Sequence, residues 1–95
     1  MGRDIRVESE HLVYHVSKSS DLIMAFDLFF SHFPRRDTGD GIFYNVNLSK
    51  KEMKQVLDFV KNNGNFYRNA DELLEQLNNI YIRMMPNDSV EVAVW

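Results

Sequence analysis

The chain has 95 residues, a net charge of −3 and a pI near 5.5; 44% of it is hydrophobic, 26% charged and 13% aromatic. That balance is too apolar for a disordered chain, and at this length about two-thirds of the open chain's surface can be buried around one core, so residues 1–95 are expected to form a single domain. The sequence holds no cysteine, which excludes disulfide scaffolds, thiolate metal sites, iron–sulfur clusters and cysteine nucleophiles.

Residues 1–7 are charged and lack the apolar run of a secretory signal, and Arg6 occupies the position where a myristoylation signal has Ser or Thr. No stretch approaches the 18 apolar residues of a membrane-spanning helix. A cytoplasmic protein with no membrane partner is expected.

Residues 4–16 read as β-structure. Ile5 and Val7 alternate with Arg6 and Glu8; Leu12, Tyr14 and Val16 alternate with His11, Val13 and His15. The apolar phase shifts across residues 8–10, which fits a tight hairpin or one bulged strand, with the hairpin preferred. Residues 20–33 read as a helix that Ser19 or Ser20 caps and Pro34 stops. Its stripe is Leu22, Phe26, Phe29 and Phe33, widened by Ile23 and Phe30, while Met24 and Leu28 lie on another side. A helix apolar on most sides is central to a core or carries an interface.

Residues 34–41 form a polar loop, and residues 42–46 a short strand. A second helix follows, with Ser49 and Glu52 as a capping box and Leu48 and Met53 as a hydrophobic staple. Met53, Val56, Leu57 and Val60 give its core stripe. It is expected to end at Asn63-Gly64, with the glycine left-handed. A third helix starts after Asn69, which stands three residues before Glu72; Leu73, Leu74, Leu77 and Ile80 form its apolar side. The chain then reads as a hairpin in which residues 80–85 pair with 90–95 across a turn led by Pro86. The order β(β)-α-β-α-α-β-β predicts an α+β fold of two layers, with three helices on one face of a mostly antiparallel sheet of about four to five strands.

Few residues form a pattern that carries chemistry. His11 and His15 are four apart; on a strand they stand about 13 Å apart, too far to share a metal. The loop Asp37-Thr-Gly-Asp-Gly has a calcium-loop look, but the twelfth position, which needs a bidentate Glu, is Leu48. Ser17, Ser19 and Ser20 are cap residues rather than nucleophiles, since no Gly-x-Ser-x-Gly elbow is present. The sequence therefore implies no catalytic residues, no metal and no cofactor.

Three surfaces remain. Arg35, Arg36, Lys50, Lys54 and Lys61 make a basic ridge in the middle of the chain, set between two acidic ends. Phe66, Tyr67 and Arg68 form an aromatic loop of the composition found in interface hot spots, in which at least one of the two rings is expected to close the core and one to stay available, and Asp71, Glu72 and Glu75 form the acidic outer side of the third helix. Met24 and Leu28 are either core or a second contact surface. The leading expectation is a small non-enzymatic module that binds a protein, as an inhibitor, immunity or regulatory protein. Phe66, Tyr67, Arg68, Asp71, Glu72, Glu75, Met24 and Leu28 would be its contacts, and a basic nucleic-acid enzyme its possible partner. One alternative is a nucleic-acid or phosphate binder using the basic ridge with Phe66 and Tyr67. Another is a small hydrolase using His11 or His15. Homodimerisation through the helix at 20–33 or the strand at 90–95 is a further expectation.

Overall fold

Along the strand Tyr44–Ser49, burial alternates: Tyr44, Val46 and Leu48 point inward, and Asn45 and Asn47 point outward. That is the pattern of a sheet covered on one face. The computed structural model describes residues 4–9, 13–16, 20–34 and 43–95, with backbone alone at 13–16 and 20. The elements in chain order are β1 (Ile5–Glu8), β2 (Val13–Val16), α1 (Ser20–His32), β3 (Tyr44–Ser49), α2 (Lys50–Asn62), a 3-10 turn (Gly64–Phe66), α3 (Ala70–Arg83) and β4 (Ser89–Val94). The fold is α+β, with three helices and an antiparallel sheet of order β2-β1-β4-β3.

β4 lies inside the sheet. Its Val92 and Val94 pair with Val7 and Ile5 on one side. On the other side Val90, Val92 and Val94 pair with Leu48, Val46 and Tyr44. These residues form the buried inner face. The helices cover it with Leu22, Phe26 and Phe29 of α1, Met53, Val56 and Val60 of α2, and Leu73, Leu77 and Ile80 of α3, and all join one core. Each such side chain contributes about 1.5–3 kcal/mol on burial. The outer face of the sheet carries Arg6, Glu8, Asn45, Asn47, Glu91 and the half-exposed aromatics Phe43 and Trp95. Arg6 lies between Glu8 at 3.7 Å and Glu91 at 3.8 Å.

The helix starts follow the sequence signals. Glu52 N donates to Ser49 Oγ at 3.2 Å and Ser49 N donates to Glu52 Oε1 at 3.0 Å, which completes the capping box. Leu48 and Met53 on either side of it are fully buried. Glu72 N donates to Asn69 Oδ1 at 3.2 Å, so Asn69 caps α3.

Four expectations are corrected. The hairpin of 80–85 with 90–95 does not form, because residues 80–83 continue α3 and β4 pairs with β1 and β3 instead. Ile80, Tyr81 and Ile82 favour strands locally, but Ile80 and Met84 continue the buried stripe of Leu73 and Leu77 at helical spacing, and burial outweighs propensity. The Pro86 turn does form, with Asp88 N donating to Met85 O at 2.9 Å; it joins a helix to a strand. Secondly, the strand at 90–95 offers no edge for a second copy, because both of its sides are paired; among the described strands β2 and β3 are the edges. Thirdly, Gly64 does not close α2 in a left-handed conformation. Asn63 closes it, donating from Nδ2 to Phe59 O at 2.8 Å, and Gly64 opens the 3-10 turn. The strand expected at 42–46 runs instead over Tyr44–Ser49, so Ser49 both ends β3 and caps α2.

A pair of substitutions separates helix from hairpin at 80–83. Ile80 is 1% exposed and Ile82 is 61% exposed. Ile80→Ala is expected to cost about 2–5 kcal/mol in urea unfolding, and Ile82→Ala less than about 0.5 kcal/mol. On a strand the two share one face, so similar costs would contradict the helix.

Candidate functional site

α2 and α3 are joined by the short turn at 63–69 and run antiparallel, since the first residue of α2 meets the end of α3. Lys50 Nζ donates to Met84 O at 2.7 Å and lies 4.9 Å from the centre of the Tyr81 ring. A cation there opposes the negative end of the α3 dipole and satisfies a carbonyl the helix leaves open. Lys50 is thereby a clasp between the helices and leaves the basic ridge proposed from sequence.

Between the two helices is a cleft of about 470 Å³ lined by Lys54, Leu57, Lys61, Asp71, Leu74, Glu75, Asn78 and Tyr81. Helical spacing explains the lining. Lys54, Leu57 and Lys61 recur at three and four residues on one side of α2. Asp71, Leu74, Glu75, Asn78 and Tyr81 recur in the same way on α3. Leu57 is buried and Leu74 and Tyr81 are half-buried, so the floor is largely apolar. Lys54, Lys61, Asp71, Glu75 and Asn78 are exposed and make the walls.

The α2 wall is cationic and the α3 wall anionic. Lys54 Nζ contacts Asp58 Oδ1 at 3.0 Å along α2. An exposed pair of this kind is worth a few tenths of a kcal/mol, so Lys54 can exchange partners at little cost. Among the described residues Lys61, Asp71 and Glu75 make no ion pair. The structure therefore brings together two sets that the sequence assigned to different surfaces: Lys54 and Lys61 from the basic ridge, and Asp71 and Glu75 from the acidic helix.

The other sequence-predicted residues lie elsewhere. Glu72 is engaged at the start of α3, where its Oε2 accepts from Asn69 Nδ2 at 3.0 Å. Phe66 is 64% exposed in the 3-10 turn and Arg68 is exposed beside it. Tyr67 is only 7% exposed and belongs to the core, which removes it from the contact surface. Its hydroxyl is buried and finds no hydrogen-bond partner among the described residues. Burial, and then the negative charge of Asp21, push its pKa above the usual 10.0. Asp21 also accepts from Asn69 N at 3.1 Å, tying the start of α1 to the cap of α3. Met24 is exposed on α1, and Leu28 is half-buried against the core. Arg35, Arg36 and His11 lie outside the described residues, and His15 stands opposite Arg6 in the β1–β2 register. Among the described residues no three His, Asp or Glu side chains are grouped so as to hold a metal, and no helix is long and apolar enough to cross a membrane.

Sequence reading missed the floor of the cleft. Leu57 and Leu74 read as core, and Tyr81 was placed on a strand; the signal was the continuation of the 74, 78, 81 spacing past Ile80. It also missed the outer sheet face, where the guanidinium of Arg6 lies 5.6 Å from the centre of the Trp95 ring. Phe43 and Trp95 each continue the outward phase of their strands. No protein-family model, curated protein or solved structure matches the chain.

Two measurements check these assignments. Lys50→Met keeps the aliphatic stem but loses the bond to Met84 and the ring contact, and is expected to cost about 1–2 kcal/mol in chemical denaturation. Tyr67→Phe removes an orphaned buried hydroxyl and is expected to be neutral or to stabilise by up to about 1 kcal/mol. Because the folded state holds the Tyr67 proton more tightly than the unfolded chain, stability is full below the unfolded value of 10.0 and falls as pH rises past it. In Tyr67→Phe this part of the alkaline loss should vanish from the pH dependence of the unfolding midpoint.

Proposed function

We propose that this chain is a small non-enzymatic protein-binding module that acts as an inhibitor or regulatory subunit, docking on its partner through the outer faces of α2 and α3. The observation that carries this reading is the α2–α3 cleft, with Leu57, Leu74 and Tyr81 at its floor and walls of opposite charge. An apolar anchor site ringed by charge is the form that hot spots take at protein interfaces, with the rim setting register and association rate. Phosphate-backbone binding is disfavoured at the same place, because Asp71 and Glu75 would repel the chain that Lys54 and Lys61 attract.

The test compares the tagged chain with Asp71→Lys/Glu75→Lys, whose substituted residues are exposed. Circular dichroism should show both folded. A stoichiometric protein is expected in captures from the native host with the parent chain, reduced at least about tenfold with the variant, a difference of about 1.4 kcal/mol. A control, Lys51→Glu, at an exposed residue outside the cleft lining, should retain it. Equal recovery with the charge-reversed variant would remove the cleft from the function.

A further inference from the structure

We infer that the segment this cleft receives is an amphipathic α-helix of the partner, with an apolar stripe flanked by acidic residues on one side and basic residues on the other. The inference rests on the docking reading above and adds the form and charge pattern of the occupant.

Geometry favours a helix over an extended segment. The cleft lies between two antiparallel helices, and every residue lining it belongs to one of them, where the backbone is already hydrogen-bonded along the helix. A strand laid there would find no sheet edge, and the backbone groups turned to the apolar floor would lose water without gaining partners. A helix satisfies its own backbone and seats a ridge of side chains in the groove between two others.

Charge sets the flanks. The α2 wall presents Lys54 and Lys61, and the α3 wall presents Asp71 and Glu75. A segment acidic toward α2 and basic toward α3 meets both. A uniformly basic segment meets repulsion from α2, and a uniformly acidic one from α3.

Length follows from the apolar surface. Beyond Asn78 the same stripe of α3 continues to Ile82, which is well exposed, and Met85 just past the helix is also exposed. From Asp71 to Ile82 the helix rises about 16 Å. A docked helix of about three turns spans that distance, with its apolar side chains over Leu57, Leu74 and Tyr81.

The experiment titrates the full ¹⁵N-labelled chain with three synthetic helical peptides that share one leucine stripe. Their flanks are mixed Glu and Lys, all Lys, or all Glu. Amide shifts at residues 54–61 and 71–82 report binding. The mixed peptide is expected to bind at least about tenfold more tightly than either of the others, and Asp71→Lys/Glu75→Lys should transfer the preference to the all-Glu peptide. Equal or tighter binding of a single-sign peptide overturns the inference, as does a failure of all three to move these amides. If either occurs while the charge-reversed variant still loses its captured partner, the helical occupant is wrong and the docking reading stands. If the variant also captures the partner normally, both fall.

Discussion

Everything in this fold is arranged around β4. Like β1 it is paired on both sides, but it alone joins β3 to the rest of the described sheet, and its three inward valines meet apolar residues of β1 and β3 at every register position they share. Without it, β3 would be cut off from the β1–β2 pair, and the inner face would be one narrow ribbon and a lone strand. A two-stranded ribbon is marginal in water, whereas a sheet of three or more strands with one apolar face can support a helical layer. The helices in turn depend on that face. Their buried stripes are continuous with the valine row, and each carries too much apolar surface to be stable alone at 13 or 14 residues.

The cleft is a by-product of how α2 and α3 are tied. At one end the Lys50 ammonium joins the start of α2 to the last carbonyls of α3. At the other, the 3-10 turn brings the chain back so closely that a methyl group on Gly64 would sit 3.7 Å from the Ala70 side chain. Asp21 then holds the α3 cap from the side of α1. With both ends fixed, the middle of the helix pair is left shallow over Leu57 and Leu74, and the charged residues that solvate the two helices become the walls of one space. The opposite signs across it follow from helix polarity as well: acidic residues stabilise the first turn of α3, and basic ones the last turn of α2, and antiparallel packing sets those two turns side by side.

Much of this fold could be read from sequence because local signals and burial agree. Ser49 with Glu52, and Asn69 with Glu72, announce helix starts by hydrogen bonds that need nothing outside their own turn. The strand expected at 42–46 overlaps β3 at residues 44–46, while the run of alternating burial on to Leu48 was hidden by reading that residue as part of the helix start. Reading failed where local and long-range forces diverge. Ile80-Tyr81-Ile82 has strand composition, and only the position of the core shows that Ile80 faces the sheet from a helix. The pairing of β4 with β1 has no local trace at all. At the site, each wall was visible as a charged helix face, but their apposition depends on tertiary packing, and the floor was hidden because half-buried leucines look like core. Tyr67 and Phe66 are neighbours of similar composition with opposite fates, decided by which of them the 3-10 turn directs inward.

The register that sets Ile5 against Val94 has a kinetic meaning. The helix pair α2–α3 can form from contacts a few residues apart, but the sheet joins positions separated by almost the entire chain. Closing so long a loop takes conformational entropy before any valine is buried, and topologies dominated by such distant pairings fold on the slower side, in milliseconds to seconds. Until β4 docks, the apolar edges of β1 and β3 are both open to other chains. The folded protein has a well-sheltered centre, and its assembly passes through a stage in which that same centre is the most vulnerable part of the molecule.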